Sequence, residues 1–344
     1  MVQLYVSFKY DITKDFEIKK ALAILKSSNI ISGIELPVIN QDIEGIQEAG
    51  LKVSSHNPGL DSTLNLGDPN FLDIFSTKQG ERIIEVARKS DAPTVGFHCG
   101  FSAEKVINMA GCPCIPFPGT LIVDRNLLLQ RIAGNLSGLE QRINSGPEFQ
   151  RKQLVLESVD YSRQTSIDWS SQKEEALKQR EYIEKVIKNH GINIGYMFIS
   201  EPDFVNGVLN LAAGQSSIPP GFLFDVAHIF ISADAKTTEA RYNKIENYID
   251  AIMNVSKGRT YQMHLAVPFG DDKSGYIDSH RLFAKGDILA ERLLDIAKKV
   301  INSTPELKVV TFETRTNFGP VEHAKAMVKQ ADYVLNELGL SVSR

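Results

Sequence analysis

The sequence predicts a closed barrel of eight parallel β-strands in which helices connect successive strands. Short runs of β-branched and apolar residues alternate with longer amphipathic stretches along the 344 residues, which is typical of βα units around a parallel sheet. Eight such runs can be counted, and histidine or carboxylate side chains follow most of them. A chain of this length that is 42% hydrophobic can bury one large core. The predicted fold class is therefore α/β, a TIM (β/α)8 barrel.

The predicted strands are short and are separated by helical patterns. The strands are 2–7, 32–37, 51–56, 94–98, 153–157, 221–227, 260–265 and 308–313. The helical patterns include 17–28, 76–90, 126–144, 239–256, 286–302 and 320–338. Because no internal repeat, low-complexity tract or linker interrupts this order, residues 1–344 are predicted to form a single domain.

Residues 163–200 do not fit the regular repeat. A charged helical pattern, QKEEALKQREYIEKVIKNHG, precedes INIGYMFIS, which has the pattern of a ninth strand. We interpret the region as an insertion after the fifth strand and predict that it acts as a lid or partner-docking element. In one alternative, 194–199 is a barrel strand and 32–37 is not; in another, the charged helix is only a solvated face. The Gly-, Pro- and Cys-rich residues 99–125 are predicted to form a second long loop at the same face.

Composition and charge narrow the expected partners and location. The net charge of −4 and the pI of about 6.0 provide no overall attraction to phosphate backbones, so nucleic acid is not an expected partner. No N-terminal signal pattern and no run of about 18 apolar residues occurs, which predicts a cytoplasmic protein without a membrane anchor. Cys99, Cys112 and Cys114 lack disulfide-framework spacing. Cys112 and Cys114 are interpreted as reduced thiols, with a redox or metal role as the alternative.

Nine histidine and carboxylate residues are candidate metal ligands. They are His56, His98, Glu157, Asp225, His228, His264, Asp278, His280 and Glu313. Most lie at or just past the end of an apolar run, and side chains at the carboxyl ends of barrel strands point into one shared basin. The set includes five of the seven histidines, and only His190 and His323 are interpreted as ordinary histidines. Imidazoles and carboxylates at successive strand ends predict a site for two or three divalent ions.

Two local patterns carry the most weight within this set. Asp225 and His228 are three residues apart where a strand is predicted to end, and Asp278 and His280 share one face if their segment is extended. Glu157 lies near the middle of the set and is suited to bridging two cations. Glu157 and Glu313 are the predicted catalytic carboxylates, because they bridge or complete the shared metal site. So many ionisable groups in one basin would repel each other without cations.

The order of these residues resembles the ligand set of endonuclease IV and of the wider xylose-isomerase-like TIM-barrel superfamily. The segments SSHNPGLDSTLNLGDPNFLD, VGFHCGFS, LVLESVDYS and QMHLAVPFGDDKSGYIDSH are more similar to the multinuclear non-haem iron-dependent oxidative enzymes. That family includes the catalytic subunit of methanobactin biosynthesis. The resemblance extends along nearly the whole chain except 163–200. One departure is Ala227-His228, where the family has two asparagines; His228 restores the Asp-x-x-His of endonuclease IV and favours zinc at that position.

The resemblance implies an iron-dependent oxidative enzyme with two or three iron ions. It also implies a peptide or small-molecule substrate, which a partner protein delivers in such families. A zinc-dependent phosphodiesterase of the endonuclease IV type is an alternative, but no recognisable basic DNA-binding loop is present. A sugar isomerase or epimerase with manganese or magnesium is another, although the set has more histidines than such hard ions need. A non-enzymatic binding module is the last alternative.

Overall fold

The computed structural model describes most of the chain. It describes residues 1–8, 16–36, 43–57, 64–109, 112–146, 150–158, 167–190, 192–233, 235, 237–255, 258–273 and 275–342. The strands within these ranges are β1 (Gln3–Ser7), β2 (Gly33–Leu36), β3 (Lys52–Asn57), β4 (Thr94–His98), β5 (Val106–Met109), β6 (Cys112–Pro116), β7 (Gln153–Glu157), β8 (Gly221–Asp225), β9 (Thr260–Leu265), β10 (Val267–Asp271), β11 (Gly275–Arg281) and β12 (Val309–Phe312).

Helices connect these strands and cover the barrel. They are α1 (Phe16–Ser27), α2 (Ile43–Glu48), α3 (Lys78–Lys89), α4 (Arg125–Ile143), α5 (Glu174–Lys178), α6 (Arg180–His190), α7 (Pro202–Ala213), α8 (Val226–Ser232), α9 (Thr238–Val255), α10 (Ile288–Ser303) and α11 (Pro320–Leu338). The longer ones place an apolar stripe against the strands, as in α10, whose Leu293, Ala297 and Val300 are buried. Among the described residues, no helix is both long enough and apolar enough to cross a bilayer.

Eight strands close into a parallel barrel in the order β1-β12-β9-β8-β7-β4-β3-β2. These are the eight strands that the sequence predicts, so the predicted TIM barrel is confirmed. The run 32–37 supplies β2, which pairs with β1 and β3. The remaining strands form two antiparallel hairpins outside the barrel, β5–β6 and β10–β11. The first hairpin lies within the region 99–125 that was predicted to be a loop.

The ninth strand that the pattern of INIGYMFIS predicts is wrong, and so is the alternative of a barrel strand at 194–199. Residues Ile192–Tyr196 form a 3-10 helix, and turns follow it. Tyr196 and Ile199 of this segment are buried. The segment packs against the loop that follows β4: the Tyr196 ring lies 5.4 Å from the Phe101 ring, and the Ser102 amide donates to the Gly195 carbonyl. An apolar run has the same pattern whether it pairs in a sheet or packs against a loop, so periodicity alone could not separate the two.

The helices of the insertion pack against the β5–β6 hairpin, whereas Tyr196 and Ile199 near its end belong to the main hydrophobic core. The described part of the insertion lies between β7 and α7, and thus after the fifth barrel strand, as predicted. We call the six buried residues that join the two segments the outer hydrophobic cluster. They are Ile107, Met109, Ile115, Ala176, Ile183 and Val186. The charged helix α6 therefore has a buried apolar face as well as a solvated one.

The barrel interior beneath the carboxyl ends of the strands is polar. Alternate residues of a strand point to the same face, so Gln262 lies one step below His264, and Thr311 one step below Glu313. The side chains of Thr94 and Gln262 are hydrogen bonded at 2.7 Å across this interior. Bulky branched residues usually fill this layer of a TIM barrel. In this protein, a layer of hydrogen-bonded polar side chains, which we call the floor of the barrel, lies below the candidate ligands.

Candidate metal centre

All nine candidate ligands converge at the carboxyl end of the barrel. Five of them lie on barrel strands and Glu313 directly follows β12. His228 lies on α8, whereas Asp278 and His280 lie on β11 of the second hairpin. Every member except Asp278 is buried, and the Asp278 side chain keeps 18% of its exposure. The side chains fall into three groups according to their mutual distances. The opening of the site is therefore on the side of Asp278.

The first group, which we call the histidine cluster, contains His56, His98 and Glu157. Neighbouring strands β3, β4 and β7 supply one residue each, and His98 lies beside Glu157 in register. One oxygen of Glu157, Oε2, lies 3.2 Å from Nε2 of His56 and 3.3 Å from Nε2 of His98. Gly96 makes room for this arrangement, because a Cβ atom there would lie 2.5 Å from Nδ1 of His56.

The second group, the carboxylate cluster, contains Glu157, Asp225, His264 and Glu313, with all ligand atoms within 4.8 Å of one another. Nδ1 of His264 lies 3.1 Å from Oε2 of Glu313. The same nitrogen lies 3.8 Å from Oε1 of Glu157 and 3.8 Å from Oδ2 of Asp225. Glu157 thus turns one oxygen toward each cluster.

The third group, the mouth cluster, contains His228, Asp278 and His280. Oδ2 of Asp278 lies 2.6 Å from Nε2 of His280 and 3.5 Å from Nε2 of His228. His280 has a left-handed φ of 50°, a conformation that histidine adopts more readily than most residues. Asp278 and His280 reach the site from a hairpin and not from a barrel strand. They lie where the pairing of β10 with β11 shifts register, so the regular extended segment that was predicted for them is not present.

Asp225 and His228 are joined by a helix cap. The predicted strand 221–227 ends at Asp225, because its side chain accepts a 2.6 Å hydrogen bond from the backbone N–H of His228 and starts helix α8. Nδ1 of His228 lies 3.2 Å from the Ser158 carbonyl and 3.0 Å from Oε1 of Glu157. The Asp-x-x-His spacing therefore belongs to the junction between a strand and a helix.

The donor atoms have the geometry of ligands that share a cation. Among the described residues, both oxygens of Glu157, both ring nitrogens of His56 and Oδ2 of Asp225 have no hydrogen-bond partner, although they are buried. Nitrogen and oxygen atoms nevertheless approach to 3.2–3.3 Å in the histidine cluster. Two ligands that are each 2.0–2.2 Å from one ion lie about 3.0–3.5 Å apart. The residues present therefore fit divalent metal ions in the histidine and carboxylate clusters.

Burial and mutual charge shift the pKa values of this site in opposite directions. Burial raises the pKa of Asp225 to about 7 and lowers that of His56 to about 4. Burial alone would raise the pKa of Glu157, but the surrounding imidazoles hold it well below its usual value. Burial opposes protonation of His264, yet Glu35 and Glu157 raise its pKa well above the ordinary value. Protons on the imidazoles balance the negative charge of the carboxylates, and bound cations would replace those protons.

One buried carboxylate of the site was missed by the sequence analysis. Glu35 on β2 is 1% exposed, and its Oε1 lies 3.1 Å from Nε2 of His264. The available signal was a single acidic residue inside the apolar run SGIELP. A buried glutamate rarely occurs without a partner, but its partner is more than 200 positions away in the sequence and could not be identified from the pattern.

The remaining histidines and cysteines lie outside the metal centre where the structure describes them. His323 is buried, and its ring nitrogens lie 2.9 Å from Oγ1 of Thr316 and 3.1 Å from the Ser7 carbonyl, so it joins α11 to the barrel. The side chain of His190 is outside the described residues, as are those of 112–114. Burial raises the pKa of the Cys99 thiol, which keeps it in the unreactive protonated form.

Comparisons with known proteins identify the fold. No protein-family model matches the sequence, and the search of curated proteins finds no match. A putative xylose isomerase from Rhodospirillum rubrum is 11% identical, with all of both chains covered and a TM-score of 0.59. A xylose isomerase-like TIM barrel protein from Mycobacterium smegmatis, in complex with magnesium, is 11% identical over 98% of this chain and 97% of that chain, with a TM-score of 0.53.

An enzyme with a named activity has the same architecture. The D-psicose 3-epimerase from Clostridium cellulolyticum, solved with D-tagatose, is 11% identical over 97% of each chain, with a TM-score of 0.52. At such low identity these likenesses show the fold alone, which is that of the xylose-isomerase-like TIM barrels. They do not extend to the narrower resemblance to iron-dependent oxidative enzymes.

Proposed function

We propose that this protein is a metal-dependent enzyme that binds at least two divalent ions on either side of Glu157. The proposal rests on the different surroundings of the two Glu157 oxygens. Oε2 lies 3.2 and 3.3 Å from the nitrogens of His56 and His98, whereas Oε1 faces the carboxylate cluster. A carboxylate with this environment is suited to bridging two ions.

The chain's own residues divide into holding and reacting groups. The histidine cluster and the carboxylate cluster hold the ions, which when bound polarise substrate oxygens and lower the pKa of bound water. At the mouth, the Asp278 side chain keeps partial exposure, whereas its Oδ1 is buried and has no hydrogen-bond partner among the described residues. We assign the Asp278 carboxylate to proton transfer with the substrate when the mouth cluster holds no ion of its own.

Isomerisation or epimerisation of a small polyhydroxylated carbonyl compound is the reaction that we propose first. Its support is the shared fold with proteins named as epimerases and isomerases, together with a partly exposed carboxylate beside two candidate ion positions. Such chemistry needs a metal to hold the substrate oxygens and a base to move a proton from carbon. Two ions and one available carboxylate meet that need.

Iron-dependent oxidation of a peptide or small molecule is the second candidate. The observation that favours it is the five imidazoles of the site, because nitrogen donors suit iron and zinc better than magnesium. In this case the mouth cluster would hold a third ion, and a partner protein could present the substrate. Zinc-dependent phosphodiester cleavage would use the same three ion positions, so the test must also detect this reaction.

Metal analysis and three assays on the same protein separate these reactions. Protein purified without oxygen is analysed for metals and reloaded with manganese, iron(II) or zinc. We expect deuterium to enter the position next to the carbonyl of a ketohexose in D₂O, detected by NMR, with manganese present. Oxygen uptake under iron without such exchange would overturn the first proposal in favour of oxidation. Zinc-dependent cleavage of an abasic-site duplex would overturn both.

A further inference from the structure

Glu35 connects the floor of the barrel to one histidine of the carboxylate cluster. Its Oε1 lies 3.1 Å from Nε2 of His264. Its Oε2 accepts hydrogen bonds from the side chains of three residues on three different strands: Ser54 at 3.2 Å, Gln262 at 2.8 Å and Thr311 at 3.1 Å. Glu35 is 1% exposed. A carboxylate fixed at both oxygens has little freedom to move.

The strand order makes this contact a crossing of the barrel interior. Glu35 belongs to β2, and His264 belongs to β9, with β1 and β12 between them in the wall. Gln262 is itself fixed, because its Oε1 accepts a 2.7 Å hydrogen bond from the hydroxyl of Thr94. The amide nitrogen of Gln262 is thereby turned toward Glu35 and His264. The orientation of this amide follows from its two partners.

The two nitrogens of His264 face different surroundings. Nδ1 faces Glu313, Glu157 and Asp225, and it is the nitrogen that an ion in the carboxylate cluster would bind. A neutral imidazole that offers Nδ1 to a metal carries its proton on Nε2. Nε2 lies 3.1 Å from both Glu35 and the Gln262 amide nitrogen. Only Glu35 can accept the proton, because an amide nitrogen is a donor.

We propose that Glu35 is a positioning residue that holds His264 in the tautomer that presents Nδ1 to the carboxylate cluster. This inference rests on the proposed metal centre and adds a residue that binds no ion itself. Glu35 approaches the nitrogen on the opposite side of the ring and is therefore not a ligand of the same ion. Carboxylates that receive the second N–H of a metal-binding histidine fix its orientation and raise its basicity.

The first test is metal affinity in a matched pair of variants. Glu35→Gln keeps the size of the side chain but removes its charge, and we expect it to weaken one ion by about 10- to 100-fold while leaving the ion of the histidine cluster unchanged. Glu140→Gln is the control, because Glu140 is also 1% exposed and hydrogen bonded, to Asn144 and Ser217, but lies on α4 away from the site. Competition with a coloured chelator measures both affinities.

The second test reads the tautomer directly in the wild-type protein. Long-range ¹H–¹⁵N NMR of zinc-loaded, histidine-labelled wild-type protein is assigned by comparison with His264→Gln. We expect the proton of His264 on Nε2 and the metal on Nδ1. A proton on Nδ1, or unchanged affinities in Glu35→Gln, overturns the role of Glu35. Wild-type protein that binds fewer than two ions overturns the proposed metal centre instead.

Discussion

The histidine cluster and the carboxylate cluster share Glu157 but differ in their other ligands. The histidine cluster adds the imidazoles of His56 and His98, whereas the carboxylate cluster adds the carboxylates of Asp225 and Glu313 and a single imidazole. Imidazole-rich sites favour iron, zinc and similar ions, and carboxylate-rich sites also accept manganese or magnesium. The difference indicates that the two positions are not equivalent, even though one carboxylate serves both.

Access to the two clusters differs as well. Asp225 and His264 are as buried as the histidine cluster, but Glu313 is 8% exposed and its carboxylate lies 3.9 Å from Nδ1 of His280 in the mouth cluster. We expect a substrate that enters past Asp278 to reach Glu313 first. We therefore expect the carboxylate cluster to determine the reaction and the histidine cluster mainly to fix Glu157. Four substitutions test this comparison.

Substitution of the shared residue has the largest expected effect. Glu157→Gln removes the charge that both clusters use, so we expect loss of more than one equivalent of metal and a fall in activity of about 10³-fold or more. Metal content by mass spectrometry and turnover are measured on the same sample. Glu140→Gln again serves as the control for a buried glutamate. Full metal content in Glu157→Gln would show that this residue does not bridge.

Asp225→Asn acts on the carboxylate cluster alone. Oδ1 of Asp225 accepts a 2.6 Å hydrogen bond from the His228 N–H. Asparagine can accept the same hydrogen bond and cap the helix, so we expect the variant to fold. We expect loss of the ion at the carboxylate cluster and a drop in turnover of at least about 100-fold, with the ion of the histidine cluster retained. If both ions are retained with wild-type affinity, Asp225 is not a ligand.

Gly96→Ala acts directly on the histidine cluster. The new methyl group would lie 2.5 Å from Nδ1 of His56, so this ring must shift. We expect the histidine cluster to bind its ion about 10- to 100-fold more weakly, with a smaller loss of turnover than in Asp225→Asn. Gly134→Ala is the matched control, since its Cβ would meet nothing within 4 Å. Equal metal affinities in the two alanine variants would contradict the role of Gly96.

Ile183→Ala in the outer hydrophobic cluster has the smallest expected effect on the metal centre. Ile183 is fully buried, and its truncation should destabilise the inserted region by about 2–4 kcal/mol. We expect unchanged metal content, because neither metal cluster contacts this residue, together with slower substrate turnover if the insertion acts as a lid. Thermal unfolding and steady-state kinetics separate these effects. Wild-type kinetics would show that the insertion does not act as a lid.

Local patterns were enough to predict the barrel and the candidate ligands, but not the contacts between distant strands. The run 32–37 was predicted as a strand, with 194–199 as the alternative barrel strand, because periodicity alone could not choose between them. The contact of Glu35 with His264 joins residues on two strands that are not neighbours in the barrel, and no local pattern encodes such a pair. The helix that begins after Asp225 was hidden because VAHIFIS is as apolar as the strand before it.

The most direct test of the central claim is anomalous diffraction from crystals of the metal-loaded protein, recorded at the absorption edge of the bound metal. We expect at least two peaks, each about 2.0–2.6 Å from a different oxygen of Glu157. One peak should lie beside His56 and His98, and the other beside His264 and Asp225. A single peak, or peaks that do not touch Glu157, would contradict the proposal that this residue joins two metal sites.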